Sequence, residues 1–225
     1  MIAAVAMGVP DNICIVMMSA VGDAVHVLPV INALKRENPR TRITWVLQPG
    51  PAALVRGHRS VDEIIIFDRA RGLAAFTDVG RELTKRQFDL VINLQVYFKA
   101  GIVTASTRAP VKLGFDRGRA RDLNWLFTNR KIPPNPVQHV QDQYFEFLTA
   151  LGVSPEPVVP TRGRSLDHIG FEVRNLEEFC KKLEAQGIKL DRPYTPVPAL
   201  GIAIAFITDP LGTYIELTEG LNKVS

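Results

Sequence analysis

The chain has 225 residues, 46% hydrophobic and 22% charged, with a net charge of +4. A chain of this size and mix buries one or two cores, which excludes a disordered protein and a disulfide-built scaffold. No apolar run approaches the roughly 20 residues that cross a bilayer, and the first basic residue, Lys35, lies behind Asp11 and Asp23; neither a spanning helix nor a secretory leader is expected, and the chain reads as cytoplasmic.

Residues 1–11 read as an extension. From 12 to 152, short apolar runs alternate with amphipathic stretches, the pattern of parallel strands joined by crossover helices. Strands are expected at 13–18, 43–47, 63–67 and 90–94. Helices are expected at 24–37, 51–57, 72–86, 98–107 and 137–151, the last ending at Gly152 as its C-cap. Residues 153–164, rich in proline and without a periodic apolar face, read as a linker.

Beyond it, 165–221 reads as one βαβββ unit. A strand at 166–173 is followed by a helix at 176–186, then strands at 189–195, 202–208 and 213–218, with a turn at Asp209–Gly212. Asn175 and Glu178 form the expected cap pair, and Leu176, Phe179, Cys180 and Leu183 the expected buried stripe. The predicted class is therefore α/β: a Rossmann-like parallel-sheet domain followed by a small α+β module. Cys14 and Cys180 have neither metal-site nor redox spacing and are expected in the cores.

Charge is divided between the two parts. Residues 1–160 hold 19 Lys and Arg against 14 Asp and Glu, whereas 161–225 hold 8 against 9. Within the first part, 108–131 carries seven basic residues and two acids, suited to phosphates or sugar acids, with a solvated basic surface as the plain alternative. No nucleic-acid partner is expected. Asp23 follows the first strand, where an open α/β sheet presents ligand-binding groups; an N-cap role is the alternative there.

The run Ser19-Ala-Val-Gly-Asp-Ala-Val-His-Val-Leu-Pro-Val-Ile-Asn-Ala-Leu-Lys35 resembles the start of glycosyltransferase family 9, the ADP-heptose:lipopolysaccharide heptosyltransferases. The resemblance continues through Ile43–Gly50, Phe88–Gln95, Val111–Gly114, Asn129–Lys131 and Gln138–Val140, covering about residues 12–152. It implies half of a GT-B fold, with an anionic lipopolysaccharide acceptor and peripheral contact with the inner face of the membrane. It also implies that Asp23 is the general base, taking the proton of an acceptor hydroxyl as that oxygen attacks the anomeric carbon with inversion. Arg121 aligns with a basic position the family uses near the acceptor, and Ser19 is a candidate for an anionic group at the helix start. Arg117 and Arg119 are further candidates. His26 reads as an acceptor contact or a packed residue, His58 as loop surface, His139 as the start of a helix. Family members bind the nucleotide sugar mainly on a second Rossmann-like domain; 153–225 does not resemble one, so transfer by this chain alone is not expected.

Leu166-Asp-His-Ile-Gly-Phe-Glu-Val173 and Thr208-Asp-Pro-Leu-Gly-Thr-Tyr-Ile-Glu-Leu217 resemble the vicinal oxygen chelate superfamily, which includes glyoxalase I, over about 165–221. This resemblance implies that His168 and Glu216 bind a divalent metal (Zn, Ni, Mn or Fe). Strand parity sets Ile169, Phe171 and Val173 opposite His168, and Ile215 and Leu217 opposite Glu216. A helix covering the apolar face would leave His168 and Glu216 together on the other; an ordinary polar sheet face is the alternative. The superfamily pairs two such modules, so a homodimer would complete the site. A metal isomerase or lyase formed in that way, and a non-catalytic fusion, are the alternative functions.

Overall fold

The computed structural model describes residues 8–136, 138–157, 159–164, 167–210 and 212–221. Residues 1–7 of the expected extension, Val137, Val158 of the expected linker, Ser165, Leu166, Leu211 and 222–225 lie outside the described residues. The chain divides into two compact units at Glu156/Pro157.

The first unit runs β1 (Asn12–Val16), α1 (Val21–Glu37), β2 (Arg42–Leu47), α2 (Pro49–Val55), β3 (Glu63–Ile66), α3 (Leu73–Thr84), β4 (Leu90–Asn93), α4 (Phe98–Ala105), β5 (Val111–Gly114), β6 (Arg130–Lys131) and α5 (Val140–Leu151). All six strands pair in parallel, in the order β3-β2-β1-β4-β5-β6. Strand alternation feeds two cores. Ile13, Ile15 and Met17 pack with α1, α2 and α5, while Cys14, Val16 and Met18 pack with α3 and α4. Burial on both faces explains why β1, β2 and β4 are almost continuously apolar, and each fully buried Ile or Leu contributes roughly 1.5–3 kcal/mol.

Two strands, β5 and β6, fall inside the basic stretch 108–131, where no strand is expected from the sequence. They are short and lie at one side of the sheet, and Lys112 interrupts the apolar pattern of β5. Its ammonium turns back to the Thr107 carbonyl at 2.9 Å. Gly152, at φ 77°, ends α5 in the left-handed conformation that favours glycine.

The second unit contains β7 (His168–Glu172), α6 (Leu176–Ala185), β8 (Leu190–Val197), β9 (Ile202–Thr208) and β10 (Tyr214–Glu219). The strand order is β7-β10-β9-β8, with β7 and β10 parallel and the other pairs antiparallel. Its core is small: Leu176 and Cys180 of α6 against Ala203, Ala205 and Leu217. Both cysteines are buried and unbridged.

Two expectations for this unit are corrected. The helix does not cover the whole apolar face: Ile169 and Phe171 remain 41% and 52% exposed, and Phe179 37%. The reason is that β7 is an edge strand and the fully buried stripe of α6 is only Leu176 and Cys180. Nor does an Asn175–Glu178 pair cap α6. Asn175 makes no side-chain cap bond; the Glu219 carboxylate accepts from the Asn175 and Leu176 N–H groups at 3.1 and 3.0 Å, and Glu178 pairs with Lys182 instead.

Candidate functional site

From β1 the chain proceeds to β2 and β3 on one side, then returns through α3 to add β4, β5 and β6 on the other. The crevice beyond the carboxyl ends of β1 and β4 is therefore the topological switch point, where open α/β sheets bind ligands. Its walls are the loops Met17–Ala20 and Leu94–Tyr97. Gln95 joins them: its amide oxygen accepts from Met18 N at 3.2 Å and its amide nitrogen donates to Ser19 O at 2.9 Å. Beneath it, buried Asn93 holds Gln95 N, and the Asn93 amide donates to buried Asn124, which in turn donates to Tyr97 O. A buried polar network paired in this way fixes the geometry of both loops.

Two clefts share the wall formed by Ser19, Gln95 and Tyr97. One, of about 370 Å³, is lined by Asp23, Phe115, Val140, Gln143 and Tyr144; the other, of about 360 Å³, by Gln48, Phe67, Arg69, Phe98, Lys99 and Asp122.

Asp23 is the third residue of α1. Its Oδ2 accepts from Ala20 N at 2.9 Å, and its Oδ1 lies 3.4 Å from the Tyr144 hydroxyl on α5. The carboxylate thus supports the helix start and faces the cleft at once. Burial, reinforced by the Asp23 charge, pushes the Tyr144 phenol above its ordinary range, so it stays protonated and able to donate.

Ser19 lines both clefts. Arg121 is tied to the crevice by its backbone, N–H to Val96 O at 2.7 Å, while its exposed guanidinium makes no hydrogen bond or ion pair with the described residues. Arg117 lies over the Trp125 ring, 4.5 Å from its centre. Arg119 is consumed structurally by Asp116, Glu146 and the Pro133 carbonyl. His26 bonds through Nδ1 to Gln141 Oε1 at 3.2 Å, His58 sits in a loop, and His139 caps α5, its Nδ1 accepting from Gln141 N. Tyr144, Arg69 and Lys99 received no site role from the sequence. Tyr144 sits on the apolar stripe of α5, and the two cations come from separate segments, the short turn at 69–71 and the start of α4, that only folding brings to one cleft. Gln95 closes the Phe88–Gln95 motif, which was its only signal.

In the second unit His168 and Glu216 do share a face, with Nε2 and Oε2 3.0 Å apart, and Asp167 Oδ1 lies 2.9 Å from Nδ1. The hydrogen bond with Asp167 and the nearby Glu216 charge hold the imidazole proton above its usual range, against some desolvation. Phe206 and Tyr214 stack beside them at 4.9 Å, and Arg162 lies over Tyr214. Within one chain this set offers an ion two ligands, His168 Nε2 and Glu216, on one side of the imidazole. Asp167 and Glu216 occupy opposite ring nitrogens, so no one ion can be ligated by all three. Among the described residues no group of three or more His, Cys, Asp or Glu side chains is arranged to hold a metal, whereas stable sites use three or more protein ligands.

Comparison with known proteins adds relatives. Residues 76–187 match the model of glycosyltransferase family 9 (heptosyltransferase). Over 144 residues the chain is 32% identical to the lipopolysaccharide core heptosyltransferase OpsX of Haemophilus influenzae, covering 64% of this chain and 41% of that protein. Lipopolysaccharide heptosyltransferase 1 of Salmonella typhimurium is 28% identical over 152 residues, covering 63% and 48%. The chain thus spans less than half the length of these curated relatives. Among solved structures, the E. coli heptosyltransferase WaaC with ADP is similar at a TM-score of 0.59 and 25% identity, over 79% of this chain and 65% of that one. A family 9 glycosyl transferase from Veillonella parvula, 20% identical with a TM-score of 0.58, covers 84% and 53% and shares the fold. Family model, curated relatives and solved structures agree in likening this chain to a family 9 heptosyltransferase domain with a Rossmann-like parallel sheet.

Proposed function

From that likeness and the crevice geometry, we propose that the first unit carries the acceptor side of a heptosyl transfer in lipopolysaccharide core assembly, with Asp23 as general base. The observation that carries the reading is the Asp23 carboxylate, held at the switch-point cleft by the Ala20 N–H. In the reaction the acceptor hydroxyl gives its proton to Asp23 while its oxygen bonds to the anomeric carbon of ADP-heptose. The bond to the diphosphate breaks with inversion, and ADP leaves with the electron pair. Arg69 and Lys99 in the adjoining cleft, and the unengaged Arg121 guanidinium, support an acceptor bearing carboxylates or phosphates.

Peripheral contact with an anionic membrane surface is part of the same proposal. Leu73 and Phe98, at the starts of α3 and α4, are 84% and 42% exposed and lie near Arg69 and Lys99 in the chain; Val21, at the start of α1, is 48% exposed. No described helix is long and apolar enough to cross a membrane.

The test is turnover of ADP-heptose with a heptose-less lipopolysaccharide by the 225-residue chain together with a separately supplied donor-binding domain of a family 9 relative. Asp23→Asn should abolish it while the variant stays folded. Unchanged turnover in Asp23→Asn would overturn the assignment of the base.

A further inference from the structure

Asp23 and Tyr144 belong to a two-rung seam between α1 and α5. The helices run antiparallel, so that Asp23 meets Tyr144 and, three residues along each helix, His26 meets Gln141. In the second rung the Gln141 amide both faces His26 Nδ1 at 3.2 Å and donates to the His26 carbonyl at 3.0 Å. Below the rungs Phe147, Leu148 and Leu151 are fully buried against the α1 side of the sheet. A third tie, from Arg119 to Glu146, anchors α5 to the loop after β5. The hydroxyl of Tyr144, a 6% exposed side chain in an otherwise apolar stripe, is thus set in place by the packing of two helices and has Asp23 as its polar partner among the described residues.

We propose that Tyr144 is the positioning residue for Asp23: its hydroxyl donates to Oδ1 while the Ala20 N–H donates to Oδ2, fixing the plane of the carboxylate toward the cleft. The proposal rests on the reading of Asp23 as the base. With one oxygen held from each side the carboxylate is restrained against rotation, and Asp23 lines the same cleft as Gln143, Val140 and Ser19. A base must be within hydrogen-bond reach of the proton it takes, so orientation precedes basicity. The 3.4 Å separation is long for such a bond, as expected before substrate closes the site. Tyr144 also contributes apolar area to the α1–α5 core, which Phe would preserve; hydroxyl and ring are therefore separable by substitution.

Two measurements test it. In the 225-residue chain labelled with ¹³Cζ-tyrosine, the Tyr144 signal, assigned by its loss in Tyr144→Phe, should ionise at higher pH than the other tyrosines. Asp23→Asn, by removing the neighbouring charge and acceptor, should bring that ionisation down. In the transfer assay with ADP-heptose, heptose-less lipopolysaccharide and the separately supplied donor-binding domain, Tyr144→Phe should lower kcat about tenfold, part of the 10²–10⁴ that a general base supplies, with the acceptor KM unchanged. If Asp23→Asn leaves the Tyr144 ionisation where it was, the contact does not operate in solution and the proposal falls, whatever the kinetics. If the coupling is present and Asp23→Asn abolishes turnover but Tyr144→Phe is as fast as the parent, positioning by Tyr144 is overturned while the base stands. If Asp23→Asn turns over normally, the base assignment fails and this role fails with it.

Discussion

Arg119 meets Glu146 through two parallel hydrogen bonds, Nη1 to Oε1 and Nη2 to Oε2, both 2.8 Å. The same guanidinium pairs with Asp116 through Nε, and these three side chains are only 10–14% exposed. Burial alone would raise the Asp116 carboxyl; the Arg119 guanidinium and the Gly118 N–H more than offset it and hold it below the usual carboxylate range. The clamp joins the loop after β5 to α5, the helix that carries Tyr144 to the cleft. We predict that Arg119→Ala destabilises the first unit by about 3 kcal/mol, because two largely buried carboxylates lose their partner. Urea unfolding measures this, and a loss below about 0.5 kcal/mol would show a surface-like pair.

Acid should weaken the first unit through the same kind of group. Glu63, hydrogen-bonded and ion-paired to Arg86, is also held below its ordinary value. A carboxyl depressed in the folded state contributes stability that is fully present above its unfolded pKa, about 4, and is lost as pH falls through the lower folded value. We predict that unfolding stability declines below about pH 4, with a smaller decline in Glu63→Gln. Equal pH slopes for the two proteins would rule Glu63 out as a contributor.

Gly101→Ala should reverse the usual sign of a helix-interior substitution. In an open helix, replacing glycine with alanine gains about 1 kcal/mol. Here a Cβ on Gly101 would overlap the Phe127 ring, which packs edge-on against Phe98. We predict a net loss of about 1–3 kcal/mol from the forced displacement, accompanied by altered Phe98 exposure at the second cleft. A rise in melting temperature would contradict the tight approach of α4 to residues 124–127.

The cap of α6 offers a contrast between two residues. Glu219→Ala should cost about 1 kcal/mol, the usual penalty for losing an N-terminal cap. Asn175→Gly should cost little or stabilise, because Asn175 sits at φ 52° and its side chain makes no cap bond. Thermal melts of the two variants decide; if Asn175→Gly proves the more damaging, the cap has been assigned to the wrong residue.

The sequence by itself determined the order of the helices and of the strands through β4 in the first unit, and of the elements in the second, because each of these carries its own local signal. Buried parallel strands such as Ile43–Leu47 read as apolar runs, α5 carries its stripe and its Gly152 stop, and the alternation around His168 and Glu216 was enough to set both on one face. It also raised Asp23 as a candidate: residue order set a carboxylate just after the first strand with an N-cap role as the alternative, and the family resemblance implied the base. The tertiary structure decided everything that depends on residues far apart in the chain. It completed the sheet with β5 and β6, whose pairing energy comes from neighbours and not from their own composition. It supplied the α6 cap from Glu219, 44 residues beyond Asn175. It consumed Arg119 in a clamp while leaving the Arg121 guanidinium unengaged among the described residues. Most of all it brought Tyr144 to Asp23 across 121 residues, a contact set by the antiparallel packing of two helices; hydrophobic burial fixes that packing, and no local pattern in either helix encodes it.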